Sequence, residues 1–312
     1  MSAPTLHRTA AQAIAWTKIP DALRSLWRAC LPDEGGDVAR SLTANFVAVT
    51  AAAQLDGLRA SLDRLQQRTP CRAFVVAIDE AAEDHAAHVS ATTRCHGTVR
   101  DIVLEQIELR VRPAEFAAMP GLIRPLLVND VPNHLYWGTD WPADARGFDA
   151  VRALCEHTIV DSRRFEDPAR GLAAIAERRS QAGRITDLSW LRLRPWRRAI
   201  AEAFERCALP AGSAVEIVVS HGKAGEAAAQ LYADYLSQRL GATVRRTPAG
   251  DDTAPVPHKV ELRSGELHVA VEAQERRLVV HVTTAAECLL PFTVTASRGA
   301  DGDLLAAAID AG

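Results

Sequence analysis

Phe46-Val-Ala-Val-Thr50, then Leu55, Leu58, Leu62 and Leu65 at spacings of three and four, then Ala73-Phe-Val-Val-Ala-Ile78: this stretch decides the fold. Two short continuous apolar runs flank an amphipathic helix that Pro70 closes. That is the pattern of parallel strands buried on both faces and joined by a helical crossover. Downstream the rhythm continues. Half-buried strands are expected at about 87–96 and 102–111, the second with Ile107, Leu109 and Val111 on one side and Glu108, Arg110 and Arg112 on the other. Residues 113–127 read as a helix bent or split at Pro120 and Pro125. Residues 134–137 and 158–160 read as strands around a helix at about 147–156. Strands alternating with helices imply crossovers onto a largely parallel or mixed sheet.

Outward from this core the patterns change. Residues 21–31 carry Leu23, Leu26, Trp27 and Cys30 as a helical stripe, preceded by what reads as a partly frayed arm. After Val160, Asp167 is an N-cap candidate before Pro168, Asp187 can cap a short turn before Trp190, and Pro195 opens a helix with Trp196, Ile200, Ala203, Phe204 and Cys207 on one face. A strand at 215–220, a turn and a helix at 226–240 follow. Three alternating strands then centre on Val260, Val269 and Val280, with hairpin turns at Ser264-Gly265 and Gln274-Glu275. The expected organisation is an N-terminal helical arm (1–40), an α/β domain (41–165), a helical connector (166–210) and an α+β domain with an antiparallel meander (211–312).

Composition narrows the function. The 312 residues are 48% apolar and 24% charged, with 36 basic and 39 acidic side chains. A net charge of −3 argues against nucleic-acid binding, which needs a concentrated basic excess. It equally argues against disorder. No window approaches the roughly 18 to 20 apolar residues of a membrane helix, and residues 10–16 are too short for a secretory signal. Six widely spaced cysteines without a Cys-x-x-Cys read as reduced, mostly buried thiols, so a cytoplasmic location is expected.

Three constellations are candidates for chemistry or binding. The turn His221-Gly222-Lys223-Ala224-Gly225 lies between a strand and a helix start, where backbone N–H groups and Lys223 could hold an anion. It is neither a P-loop nor a dinucleotide fingerprint, and a plain glycine-containing turn is the simpler reading. His85, His88, Cys95 and His96 offer zinc-type donors at a spacing that matches no standard site. Four of the six tryptophans fall between 137 and 196. Trp137 and Trp141 flank a Gly-Thr-Asp turn, and Trp190 and Trp196 bracket Arg192 and Arg194. Trp and Arg are enriched at interface hot spots, although the same residues could simply fasten helices to the cores. No Gly-x-Ser-x-Gly elbow is present, and no catalytic set, cofactor motif or metal site is assigned.

The segments Pro125-Leu-Leu-Val-Asn-Asp-Val-Pro-Asn-His-Leu-Tyr-Trp-Gly138, Ile159-Val-Asp-Ser162 and Thr186-Asp-Leu-Ser-Trp-Leu-Arg-Leu-Arg-Pro-Trp-Arg197 occur in that order. Together they resemble the OpcA family, the glucose-6-phosphate dehydrogenase assembly proteins, over roughly residues 40–285. The chain departs from relatives at Tyr136-Trp137, where two adjacent tryptophans are common, and at Asn133-His134. The resemblance implies a non-catalytic assembly factor and allosteric activator of glucose-6-phosphate dehydrogenase in the oxidative pentose phosphate pathway. Such a chain would form a hetero-oligomer with the dehydrogenase, or a homo-oligomer. Trp137, Trp141, Arg192, Arg194 and Arg197 are the interface candidates. The alternative is a sugar-phosphate-binding enzyme or sensor that uses His221, Gly222, Lys223 and Gly225.

Overall fold

The alternation around residue 50 becomes the centre of a mixed ten-stranded sheet in the computed structural model, which describes residues 5–30, 38–82, 86–96, 99–142, 144–179, 183–210, 212–296 and 300–310. The chain divides into two compact units, residues 1–160 with 181–186 and 300–312, and residues 161–180 with 187–299.

In the first unit the strands are β1 (Thr5–Arg8), β2 (Gln12–Ala15), β3 (Val38–Arg40), β4 (Ala44–Ala51), β5 (Cys71–Ile78), β6 (Ala86–His96), β7 (Val99–Val111), β8 (Asn133–Gly138), β9 (His157–Val160) and β10 (Arg184–Asp187). Five run parallel in the order β7-β5-β4-β8-β9. Along the chain this order reads third, second, first, fourth, fifth. It is the doubly wound arrangement, with its reversal between β4 and β8. The Leu55–Leu65 helix supplies the β4–β5 crossover and buries the four expected leucines. β6 runs antiparallel to β7, and β1 and β2 pair antiparallel with β6, so the sheet is mixed. The arm expected near the N-terminus is therefore partly strand.

Two further details depart from the sequence pattern. In the Ile19–Ala29 helix the buried stripe is Ile19, Ala22 and Leu26, continued by the C-cap residue Cys30, whereas Trp27 is 46% exposed. On β7 the charged side does not face water throughout: Glu105 and Glu108 are buried. Arg72 and Arg40 hold Glu105 at 2.6 and 2.7 Å, and Arg59 holds Glu108 at 2.6 Å. Buried carboxylates persist because they are paired.

The second unit has β11 (Glu216–His221), β12 (Thr243–Pro248), β13 (Lys259–Ser264), β14 (Leu267–Gln274), β15 (Arg277–Thr283) and β16 (Phe292–Thr295), in the order β12-β11-β13-β14-β15-β16. The expected meander is β13-β14-β15, antiparallel throughout and extended by β16. β12 lies parallel to β11 across the Glu226–Leu240 helix. Trp196 of the Arg194–Arg206 helix and Tyr232 of the Glu226–Leu240 helix are buried in one apolar cluster with β11, β13, β14 and β15. The Tyr232 hydroxyl donates to the Trp196 carbonyl at 2.8 Å. No helix among the described residues is long and apolar enough to cross a membrane.

Candidate functional site

Two of the segments that carry the family resemblance converge in the second unit. Asp161, the residue after β9, is fully buried. Arg192 donates to both of its oxygens, at 2.7 and 3.2 Å, and Arg163 donates at 2.9 Å. The Arg164 Nε is 3.9 Å away. Burial alone would push the Asp161 carboxyl up, but the Arg192 and Arg163 charges outweigh it and hold it below its ordinary value. Asp187 has the opposite balance. It caps the Leu188–Arg192 helix by accepting from Ser189 N–H at 2.9 Å, and it also accepts from Ser162 N–H at 3.3 Å. Burial pushes its carboxyl up to about 6. Its second oxygen has no hydrogen-bond partner, and the Ser162 and Ser189 hydroxyls make no hydrogen bond of good geometry. A tightly held ion-pair cluster thus sits beside underused polar atoms.

This geometry places the five interface candidates. Arg192 is spent on Asp161, with its side chain only 6% exposed. Arg197 lies over the Trp190 ring, 3.9 Å from the centroid, and burial lowers its basicity. Trp190 in turn meets Tyr235 edge-on. Arg194 is exposed at the start of its helix. Trp137 and Trp141 belong to the first unit and are buried. Trp137 packs edge-on against Phe116 and Phe148, and its indole N–H donates to the Asp140 carbonyl at 3.0 Å. These rings form a wall of a cleft of about 1040 Å³ beyond the carboxyl ends of β5 and β8. The turn after β4, where a dinucleotide-binding fold places its glycines, reads Ala51-Ala52-Ala53.

The turn after β11 is organised by its own chain. His221 is buried, with Nδ1 3.0 Å from the Gly222 carbonyl. Lys223 N–H donates to the Asp252 carboxylate and Ala224 N–H to the Asp252 carbonyl, both at 3.0 Å. Gly225 N–H returns to the Gly222 carbonyl at 3.1 Å. A side chain at Gly222 would run into the Asp251 carbonyl. The Lys223 amide thus already faces an anion, the Asp252 carboxylate, and the other two amides are taken by carbonyls.

Of the zinc-type residues, His85 lies outside the described residues, His88 is exposed and Cys95 is partly buried on β6. Among the described residues no group of three His, Cys, Asp or Glu could hold a metal. What sequence reasoning missed is the partner of His134: His134 on β8 and His157 on β9 are directly opposite and buried, with ring centroids 5.5 Å apart. Burial, then the neighbouring His134 and Arg184, push His157 down to about 4, and burial lowers His134. The available signal was a histidine inside an apolar strand, His134-Leu135-Tyr136-Trp137.

Fold and site define a two-unit α/β protein whose doubly wound sheet lacks glycines at its first crossover turn and whose second unit holds a buried salt-bridge cluster around Asp161. The chain belongs to the OpcA family of glucose-6-phosphate dehydrogenase subunits. Residues 62–177 match the glucose-6-phosphate dehydrogenase subunit N-terminal domain, and residues 183–311 match the C-terminal domain of the same family. A protein provisionally named OxPP cycle protein OpcA from Synechocystis sp. is 28% identical over 187 residues, which is 57% of this chain and 38% of that one. Its namesake from Nostoc punctiforme is 27% identical over 186 residues, 57% and 39% of the two chains. The match therefore spans about two fifths of the length of these curated relatives. Among solved structures the chain is similar to KijD10, a 3-ketoreductase from Actinomadura kijaniata in complex with NADP and TDP-benzene. That likeness is 13% identical with a TM-score of 0.48, covering 86% of this chain and 88% of the other. It is also similar to YPO2259 of Yersinia pestis, at 11% identity and a TM-score of 0.45, covering 87% and 88%.

Proposed function

We propose that this chain is a non-catalytic subunit of glucose-6-phosphate dehydrogenase in the cytoplasm, an assembly factor and allosteric activator serving the oxidative pentose phosphate pathway. The observation that carries the reading is the match of both halves of the chain to dehydrogenase-subunit domains. The glycine-free turn after β4 supports a binding role over dinucleotide chemistry. The physics of such activation is linkage. A subunit that binds the active dehydrogenase better than the inactive form shifts the population towards it, and substrate must reciprocally tighten the subunit's grip.

A specific complex buries on the order of 1,600 Å² in total. Of the five sequence candidates, we assign direct partner contact to Arg194, which is exposed. Arg192, Arg197, Trp137 and Trp141 would act by keeping the surrounding surface in shape. Trp27, exposed on the Ile19–Ala29 helix, is a further anchor candidate. The test is to mix this chain with the dehydrogenase of the same organism and measure light scattering after size exclusion. A co-eluting complex of defined mass is the expected result. Separate elution of the two proteins, at concentrations well above micromolar, would refute it.

A further inference from the structure

The second unit carries a cleft of about 570 Å³ between the segment after Asp161 and the start of the Glu226–Leu240 helix. Arg163, Arg164 and Lys223 line it together with the carboxylates of Glu166, Glu226 and Asp252. Asp161 is already saturated by Arg192 and Arg163 at 2.7 to 2.9 Å, while Arg164 stands off at 3.9 Å and its Nε donates to nothing. Lys223 is exposed and makes no ion pair among the described residues. Ser162 at the base of the cleft is fully buried, with its hydroxyl against the Asp187 carboxyl. Phe165 and Pro168 add apolar surface.

We infer that this cleft binds a phosphorylated sugar, with the phosphate on Arg164 and Lys223 and the sugar hydroxyls on the neighbouring carboxylates. Guanidinium and ammonium groups bind phosphate by charge-assisted hydrogen bonds. Ionised carboxylates are acceptors only, which suits hydroxyl donors. The mixture is what discriminates. The carboxylates oppose any phosphate alike, so the preference for an ester comes from the hydroxyl donors that a polyol brings to them. The seat is distinct from the backbone amides of Lys223 and Ala224, because Asp252 occupies those.

Calorimetric titration of the full chain alone, without any dehydrogenase, tests the inference independently of the subunit role. The probes are glucose 6-phosphate, 6-phosphogluconate, glucose and inorganic phosphate. Saturable binding of at least one ester is expected, about tenfold or more tighter than glucose or phosphate. The Arg164→Gln, Lys223→Gln double variant is expected to lose about tenfold or more in affinity for that ester with an unchanged unfolding midpoint, since Asp161 keeps Arg192 and Arg163. No saturable heat for either ester up to about 10 mM, equal binding of phosphate and ester, or full affinity in the double variant would overturn it.

Discussion

Asp161 and Asp187 are two buried carboxyls in one cluster whose surroundings push them in opposite directions, and each has a measurable consequence. Removing Arg192 leaves Asp161 with Arg163 as its remaining close partner. Arg192→Ala is therefore expected to cost roughly 3 kcal/mol, the low end for a broken buried pair because Arg163 remains, read from urea unfolding. Arg194→Ala, at an exposed position, should stay within about 0.5 kcal/mol and serves as the control that still tests the interface. Asp187 ionises near 6 when folded and near 3.8 when unfolded, so the folded state holds the extra proton. Its stabilising contribution is complete below about 3.8 and is lost as pH rises through 6, at up to about 1.4 kcal/mol per pH unit. Asp187→Asn keeps the acceptor for Ser189 and Ser162 N–H and removes this dependence. The melting temperature of the variant relative to the parent should therefore rise between pH 4 and 6. A flat difference would show that Asp187 titrates normally. His157 runs the other way: neutral when folded down to about 4, protonated when unfolded below 6.5. Stability from the first unit is accordingly lost as pH falls through that window, and His157→Gln should blunt the acid loss.

At the scale of elements, the parts of the fold that were legible in the sequence are those whose apolar periodicity is local. β4, the Leu55–Leu65 helix and β5 declare themselves because most of their buried positions are apolar, Asn45, Thr50, Ser61 and Arg72 excepted, and β13, β14 and β15 because they alternate. β12 was not legible because it is an edge strand, largely exposed, so Thr243–Pro248 carries no buried stripe. The Asp301–Asp310 helix was missed for another reason. It packs on the Leu55–Leu65 helix, more than two hundred residues earlier, through Gly302 against Ser61 and an Arg68–Asp310 pair at 2.7 Å. Such long-range returns leave no local mark. The candidate site was legible only as motif: Ile159-Val-Asp-Ser162 stood out as a segment carrying the resemblance and Asp187 as a cap, but the pairing of Asp161 with Arg192 and of Asp187 with the Ser162 N–H is tertiary. Trp196 stood out as an aromatic of a linker helix and is the anchor of a core. Tyr232→Phe removes the hydroxyl that binds the Trp196 carbonyl and leaves that buried carbonyl short of a donor. A loss of about 1 kcal/mol is expected, measured by thermal or urea unfolding.

For the whole molecule, the doubly wound sheet supplies an aromatic-walled cleft and the α+β unit a charged one, and the chain belongs to a family of glucose-6-phosphate dehydrogenase subunits. A binding subunit needs no catalytic set of its own; it needs a surface that distinguishes two states of its partner. Coupling of this kind amounts to 1–3 kcal/mol in ordinary allosteric systems, roughly 5- to 150-fold in affinity. The most direct measurement is the initial rate of the dehydrogenase across glucose 6-phosphate concentrations, with and without a saturating amount of this chain. A fall in half-saturation or a rise in maximal rate of about fivefold or more, with no activity from this chain alone, is the result expected. Superimposable rate curves in the presence of a saturating excess would contradict the account.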